Sequence, residues 1–292
     1  MKKFALVLIA AILAISLVAC TGDETDENSG SVSDYMQTSH EYEVSITDAN
    51  GKKVVLGTLS FEDGSGNTAI ISDYIGIHKS HEVKIPTKVG PENAERDVTA
   101  IGKEAFYYCT SITTVIIPEG VTSIGDYAFA GCTSLESITV PASVTSIGKG
   151  AFNGCTALKE IKFADGSQLT SIGDYIFNDC SALAAISLPE GLKTIGVEAF
   201  RDCAALTSFK TPASLDTIGD MAFYNCEGLN ASGALDLSAS GEISAIGEFA
   251  FKGINKYYIT VPADANSEAA KYVAAMEEPE ETEEETEETM KN

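Results

Sequence analysis

The pattern Ile-Gly-x-x-Ala-Phe returns along this chain at Ile101, Ile124, Ile147, Ile172, Ile195, Ile218 and Ile246. The steps between these isoleucines are 23, 23, 25, 23, 23 and 28 residues. One clean unit, Ile124 to Thr145, reads I-G-D-Y-A-F-A-G-C-T-S-L-E-S-I-T-V-P-A-S-V-T. A many-position pattern with a fixed short period is the mark of a stacked-repeat architecture, and it has to be recognised before any other feature is interpreted. Each unit is too small to bury its own apolar side chains. Stacking identical units is what buries them.

The residues within a unit carry a local reading. The glycines after each isoleucine, Gly102, Gly125, Gly148, Gly173, Gly196, Gly219 and Gly247, stand where the chain must turn, which predicts a positive φ. Ala128, Phe129, Cys132 and Leu135 fall at offsets 0, 1, 4 and 7, the spacing of one face of a short helical turn. Ile138 and Val140 then alternate with Thr139, which predicts a strand, and Pro141 ends it because proline has no N–H to donate. Val144 and Ile147 form a second short apolar segment leading to the next glycine. Stacked copies would align Phe106, Phe129, Phe152, Phe177, Phe200, Phe223 and Phe251 into one continuous ladder, with roughly 1.5–3 kcal/mol from each buried ring.

The unit I-G-x-x-A-F-x-x-C-x-x-L-x-x-I-x-x-P-x-x-V resembles the treponemal-type leucine-rich repeat of BspA-like surface proteins. The resemblance covers Ile101 to about Pro262 and, more weakly, the approach from Thr68, where Val83-Lys84-Ile85-Pro86 and Val98-Thr99-Ala100-Ile101 look like a degenerate first unit. It implies an α/β fold: a right-handed leucine-rich repeat solenoid of about seven 23-residue units, exposed at a cell surface. Family members characterised as adhesins bind extracellular-matrix or plasma proteins. Departures are local. Ile176 stands for the alanine, Ala164 for the proline and Ile254 for the cysteine. Insertions at Asp165-Gly166 and around Ser232 to Ser240 are expected to bulge from the edge and leave the stack intact.

The flanks divide the chain further. Residues 42–100 predict a β-rich N-terminal cap with the degenerate first unit: Val44 and Ile46 alternate with polar residues, Asn50-Gly51 is a hairpin-turn pair, and Leu59 and Phe61 alternate after it. Residues 101–262 are the solenoid. Residues 263–276 predict a short capping helix, with Tyr272, Val273 and Met276 at helical spacing. Lys2 and Lys3 followed by an apolar run to Val18 fit a secretory signal over residues 1–19. Leu17-Val18-Ala19-Cys20 resembles the bacterial lipobox, so Cys20 is the expected lipidation site and the anchor to the membrane. Residues 20–41 are polar and predict a flexible tether. Residues 277–292 are nearly all Glu and Thr and predict a solvated acidic tail. A formal charge of −24 repels nucleic acid and anionic lipid headgroups, which excludes both as partners.

Catalytic chemistry finds no constellation here. Cys109, Cys132, Cys155, Cys180, Cys203 and Cys226 share one repeat position and so should stack in a row. Side chains in such a row run parallel, against the near-perpendicular torsion of a disulfide and the convergence that zinc needs. They are expected to be buried free thiols. The three histidines, His40, His78 and His81, all precede the repeats, so no triad base is evident among them. No phosphate loop, HExxH or GxSxG motif is present. No cofactor or metal is expected, and the chain is not expected to be an enzyme. With no tryptophan, a sugar platform would rest on Tyr107, Tyr108, Tyr127 and Tyr224, which fit packing at the solvent edge instead. In the family this unit resembles, the strand L-x-x-I-x-x-P lines the concave face with its x positions outward. Those positions are Thr113, Thr114, Ile116, Glu136, Ser137, Thr139, Lys159, Glu160, Lys162, Ala184, Ala185, Ser187, Thr207, Ser208 and Lys210. Lys159, Lys162 and Lys210 read as a basic island on an acidic protein. The expectation is a monomeric, lipid-anchored protein of the bacterial cell envelope that binds an extracellular or host protein through this face. A structural spacer without a ligand is the alternative.

Overall fold

A computed structural model of the chain describes residues 41–47, 53–76, 81–91, 94–231, 233–241 and 243–277. Cys20, the signal and tether, Asn50-Gly51, His40, His78 and the acidic tail from residue 278 lie outside the described residues.

The chain winds as a β-solenoid of about seven turns, with repeats about 24 residues apart. Every turn contributes one strand to each of two parallel sheets. The first sheet runs through β4 (His81–Lys84), β7 (Ile112–Ile116), β9 (Ser137–Val140), β11 (Glu160–Phe163) and β13 (Ala185–Ile186). A single bridge, Ala185 to Ser208, carries it on to β15 (Phe209–Lys210), β17 (Leu235–Asp236) and β19 (Ile259–Thr260). This is the predicted strand, and β9 stops at Val140, one residue before Pro141. The second sheet holds the Ser/Thr-Ile pairs before the glycines: β6 (Arg96–Ile101), β8 (Ser123–Ile124) and β10 (Ser146–Ile147), then separately β12 (Ser171–Ile172), β14 (Thr194–Ile195), β16 (Thr217–Ile218) and β18 (Ala245–Ile246). The break between β10 and β12 coincides with the two extra residues at Asp165-Gly166. That insertion does more than bulge, because it uncouples one sheet. The longer insertion before Ile246 leaves both sheets paired, and Thr211 and Ser240 bury a hydroxyl-to-hydroxyl contact of 2.5 Å behind it.

The interior is a set of stacked columns. All seven ladder phenylalanines are 0% exposed. Their centroids are 4.9–5.9 Å apart, in stacked pairs except for the tilted last one, Phe223–Phe251. Beyond buried area, such pairs add about 0.5–1.5 kcal/mol each. The Phe152–Phe177 pair stays stacked at 5.7 Å and 10°, so the ladder crosses the broken sheet intact. Tyrosines close both ends. Tyr74 stacks on Phe106 at 5.3 Å, and Tyr272 meets Phe251 edge-on at 5.5 Å while its hydroxyl accepts the Ala250 N–H.

Tyr74 belongs to the N-terminal cap. There β1 (Glu41–Thr47) pairs antiparallel with β2 (Lys53–Asp63), which pairs antiparallel with β3 (Thr68–Gly76). Strand β3 then lies parallel to β6 and so joins the cap to the second sheet; the short β5 (Lys88–Val89) pairs with β6 alongside. The degenerate first unit is a true coil, with Val83, Ile85, Val98 and Ile101 all buried. At the other end, helix α1 (Glu268–Ala275) is the α-helix of the described solenoid region. The Ser267 side chain caps it by accepting the Ala270 N–H, and Ala269 and Val273 face inward.

Two local expectations are overturned. The Ala-Phe segment is not a helical turn, and the glycines before it do not take positive φ. The left-handed residues lie after them, two in each coil: Glu104 and Tyr108, Tyr127 and Gly131, Gly150 and Gly154, Tyr175 and Asp179, Glu198 and Asp202, Met221 and Asn225, Phe249 and Gly253. Ten of these fourteen are not glycine, and each costs roughly 1–2 kcal/mol in isolation. The compensation is intermolecular in style but internal to the chain: alternate N–H groups point along the solenoid into the next coil. Tyr127, Phe129 and Gly131 donate to the carbonyls of Lys149, Ala151 and Asn153 at 2.7–2.8 Å. The intervening Ala128, Ala130 and Cys132 donate three residues back. A helix would have spent all these donors locally.

The recurring glycine has another cause. Stacking brings the neighbouring coil's backbone to where a side chain would start. A Cβ on Gly219 would lie 2.6 Å from both Gly196 C and Val197 N.

Candidate functional site

The first sheet exposes the side chains expected to face a ligand. Parallel register sets Thr114, Ser137, Glu160 and Ala185 side by side, with the bridge adding Ser208. A second row holds Ile116, Thr139 and Lys162. Glu136, Thr139, Lys159, Glu160, Lys162, Ser187, Thr207, Ser208 and Lys210 are exposed, while Thr113, Thr114 and Ser137 are half-buried. The alternation is forced by the pleat: Ile138 and Ile161 turn inward, so their neighbours cannot. Glu136 and Lys159 also donate their backbone N–H groups to Thr113 and Glu136 carbonyls, which fixes this rim coil by coil.

Charge on this face differs from the sequence expectation. Lys159 pairs with Glu136 at 2.9 Å and Lys162 with Glu160 at 3.0 Å. Lys210 lies in register with Asp236 on the next strand. The Asp236 carboxyl is held below the usual range first by the Ser238 hydroxyl, with the Lys210 charge adding to it. The three lysines are therefore matched by three carboxylates, and the expected basic island is close to neutral. Register decides this. Lys159 and Glu136, 23 residues apart, and Lys210 and Asp236, 26 apart, become neighbours on strands about 4.8 Å apart, while Glu160 lies two residues from Lys162 on its own strand.

The cysteine row is present and buried, and its six cysteines are not joined in disulfides. Each thiol from Cys132 to Cys226 donates to the carbonyl of the phenylalanine 26 or 28 residues earlier, at 3.0–3.2 Å. Burial pushes Cys155 and Cys226 up to about 12 and raises Cys180 and Cys203 well above the ordinary thiol range. These thiols hold coils together and are poor nucleophiles. Among the described residues, no group of three or more His, Cys, Asp or Glu side chains is placed to hold a metal ion.

The left-handed corner is a third surface, and it carries the tyrosines expected at the solvent edge. Tyr107 and Tyr108 are 46% and 52% exposed, with rings perpendicular and centroids 4.5 Å apart. The Tyr107 phenol is raised by desolvation first and then by Tyr108, Glu104 and Tyr127, which places all four together. Further along the same corner, cations cover the rings. Lys149 lies over Tyr175 at 4.7 Å, Arg201 over Tyr224 at 5.2 Å, and Lys252 over Phe249 at 5.2 Å. In the sequence this corner shows as the adjacent Tyr-Tyr pair, at a position where later coils carry Ala, Asn, Arg, Tyr or Lys beside Gly, Asp or Asn.

Comparison with known proteins agrees with this architecture. Residues 99–230 match six copies of the BspA type leucine rich repeat region. Over this stretch the chain is a BspA-type leucine-rich repeat protein. Among solved structures, a T. pallidum leucine rich repeat protein is similar at 28% identity and a TM-score of 0.60, over 74% of this chain and 91% of that one. A leucine-rich repeat protein from Eubacterium ventriosum ATCC 27560 is similar at 26% identity and a TM-score of 0.56, over 75% of this chain and 52% of that one. A search of curated proteins gives no match. The BspA-type match stops at Asn230, inside the longest step, and the next unit has Ile254 in place of the cysteine. The solenoid itself continues through Phe251.

Proposed function

We propose that this BspA-type protein is a non-catalytic binding module of the bacterial cell surface, held to the membrane by lipid on Cys20 and engaging an extracellular protein through its first sheet. The observation that carries the reading is the run of polar side chains that this sheet turns to solvent, from Glu136 to Lys210. Solenoids present such surfaces as extended platforms for other macromolecules. The repeat family supports a protein-binding or surface role, and the lipobox-like Leu17-Val18-Ala19-Cys20 supports the anchor. The residues assigned to contact are Thr113, Thr114, Glu136, Ser137, Thr139, Lys159, Glu160, Lys162, Ser187, Thr207, Ser208 and Lys210.

The second reading is an envelope spacer with no dedicated ligand, favoured by the ion pairs that neutralise the lysines within the face itself. One experiment separates the two. The body is presented to immobilised matrix and plasma proteins, as wild type and with Lys159, Lys162 and Lys210 changed to Glu. Binding by wild type, slowed in the variant and less sensitive to salt, supports the module. Wild type that retains nothing, or equal binding and salt response in both, leaves the spacer. For the anchor, Cys20→Ala should release the protein from membranes or block its processing; unchanged membrane association with normal mature mass would refute lipidation.

A further inference from the structure

On the left-handed corner the described molecule already contains the answer to what covers an aromatic ring there. Tyr127, Tyr175 and Phe249 occupy one column of the corner, and Tyr107 and Tyr224 the next. Tyr175, Tyr224 and Phe249 each carry a lysine or arginine over the ring. Over Tyr107, Tyr108 and Tyr127 no cation lies among the described residues. The adjacent Lys103 pairs with Glu104 at 3.3 Å instead.

Two of these rings, Tyr108 and Tyr127, are also closely seated on the next coil. The Tyr108 ring rests on Gly131 and the Tyr127 ring on Gly150, so closely that a Cβ on either glycine would sit 2.8 Å and 2.5 Å from ring carbons. Bare backbone beneath a ring gives it a flat seat. The main chain at Tyr108 and Tyr127 is fixed as well, since their N–H groups donate to Ala130 and Lys149 carbonyls at 2.8 Å. Little side-chain entropy is left to lose on binding, which suits tyrosine to anchoring contacts. The exposed Glu104 carboxylate lies beside Tyr107 on a chain of formal charge −24.

We propose that the Tyr107–Tyr108–Tyr127 corner is a docking surface for an arginine-bearing segment of a partner protein. This rests on the protein-binding reading above and moves its anchoring contacts from the first sheet to the corner. Arginine fits better than lysine because a planar guanidinium stacks flat on a phenol ring while its edge donates to a carboxylate. The partner thus supplies to the first coils what Lys149, Arg201 and Lys252 supply to the later ones.

The test uses the full chain and labelled octa-arginine and octa-lysine, titrated at high salt, where diffuse attraction to the acidic surface is screened. Wild type should prefer arginine. A variant with Tyr107→Ser, Tyr108→Asn and Tyr127→Asn should lose that preference, with Kd for octa-arginine weakened about fivefold, equivalent to roughly 1 kcal/mol. Asparagine is chosen because it tolerates the left-handed backbone at positions 108 and 127. Tyr107→Ser alone, at an ordinary φ, gives the same sign if the triple variant fails to fold. No arginine preference in wild type, an equal preference in the variants, or binding of a neutral oligosaccharide at the corner in place of the peptide overturns the proposal. Because no natural partner enters the titration, its outcome is independent of whether the first sheet binds matrix or plasma proteins.

Discussion

Gly219 and Gly173 occupy the same repeat position, yet the structure assigns them opposite sensitivities to a methyl group. A Cβ at Gly219 meets Gly196 C and Val197 N at 2.6 Å and Gly196 O at 2.8 Å, all backbone of the preceding coil. Ordinary contact begins at 3.4 Å, so the coils must part by about 0.8 Å, against overpacking costs of ~1–3 kcal/mol. Parting them also strains the Gly219 N–H bond to Ile195 O, now 2.8 Å, and a weakened bond of this kind adds about 1 kcal/mol. Gly219→Ala should therefore destabilise by roughly 2–4 kcal/mol. At Gly173 the nearest atom is Ile147 O at 3.6 Å, because the insertion at Asp165-Gly166 has already opened the second sheet there. Gly173→Ala should be neutral or stabilise by up to about 1 kcal/mol, through lost freedom in the unfolded chain. Urea unfolding followed by far-UV circular dichroism and tyrosine fluorescence measures both; the chain has no tryptophan to interfere. If the two variants fall within about 0.5 kcal/mol of each other, the glycines are not explained by close approach of the coils.

Phe152→Ala removes a fully buried ring from the middle of the ladder and should cost about 3–5 kcal/mol. Amide exchange should loosen first in the coils of Phe129 and Phe177, and uniform loosening along the whole solenoid would contradict nearest-neighbour stacking. The six thiols should resist a small alkylating reagent until the protein is denatured, and bridges such as Cys132 to Cys155 in unreduced protein, seen by mass spectrometry, would refute the free row. The same thiols set an alkaline limit. An unfolded thiol ionises near pH 8.5, whereas burial holds Cys155 and Cys226 protonated to about 12. The unfolded chain therefore loses protons first, so stability is full below about pH 8.5 and falls above it, by up to ~1.4 kcal/mol per pH unit for each thiol. A C155A/C226A variant should show a shallower alkaline decline in unfolding free energy than wild type, and an equal slope would remove these thiols as the cause.

The period, the ladders of Phe106 to Phe251 and the inward Ile138 and Val140 were legible from residues alone, because stacking repeats each burial requirement at every turn. Proline at 141 marked a strand end for the same local reason. What the residues did not disclose depends on the neighbouring coil. Glycine at 219 looked like a positive-φ position, since within one unit conformational freedom is the only reason for glycine; the close backbone of the coil beneath is invisible there. Tyr127 and Glu198 offer no hint of a left-handed backbone, because bonds to the next coil stabilise it. Lys159 and Lys162 looked like a basic patch until register set Glu136 beside the one and left Glu160 beside the other. The linear pattern by itself determined what must be buried and how often. Only the tertiary structure decided how backbone, charge and exposed rings meet across coils, because those contacts join residues a full repeat apart.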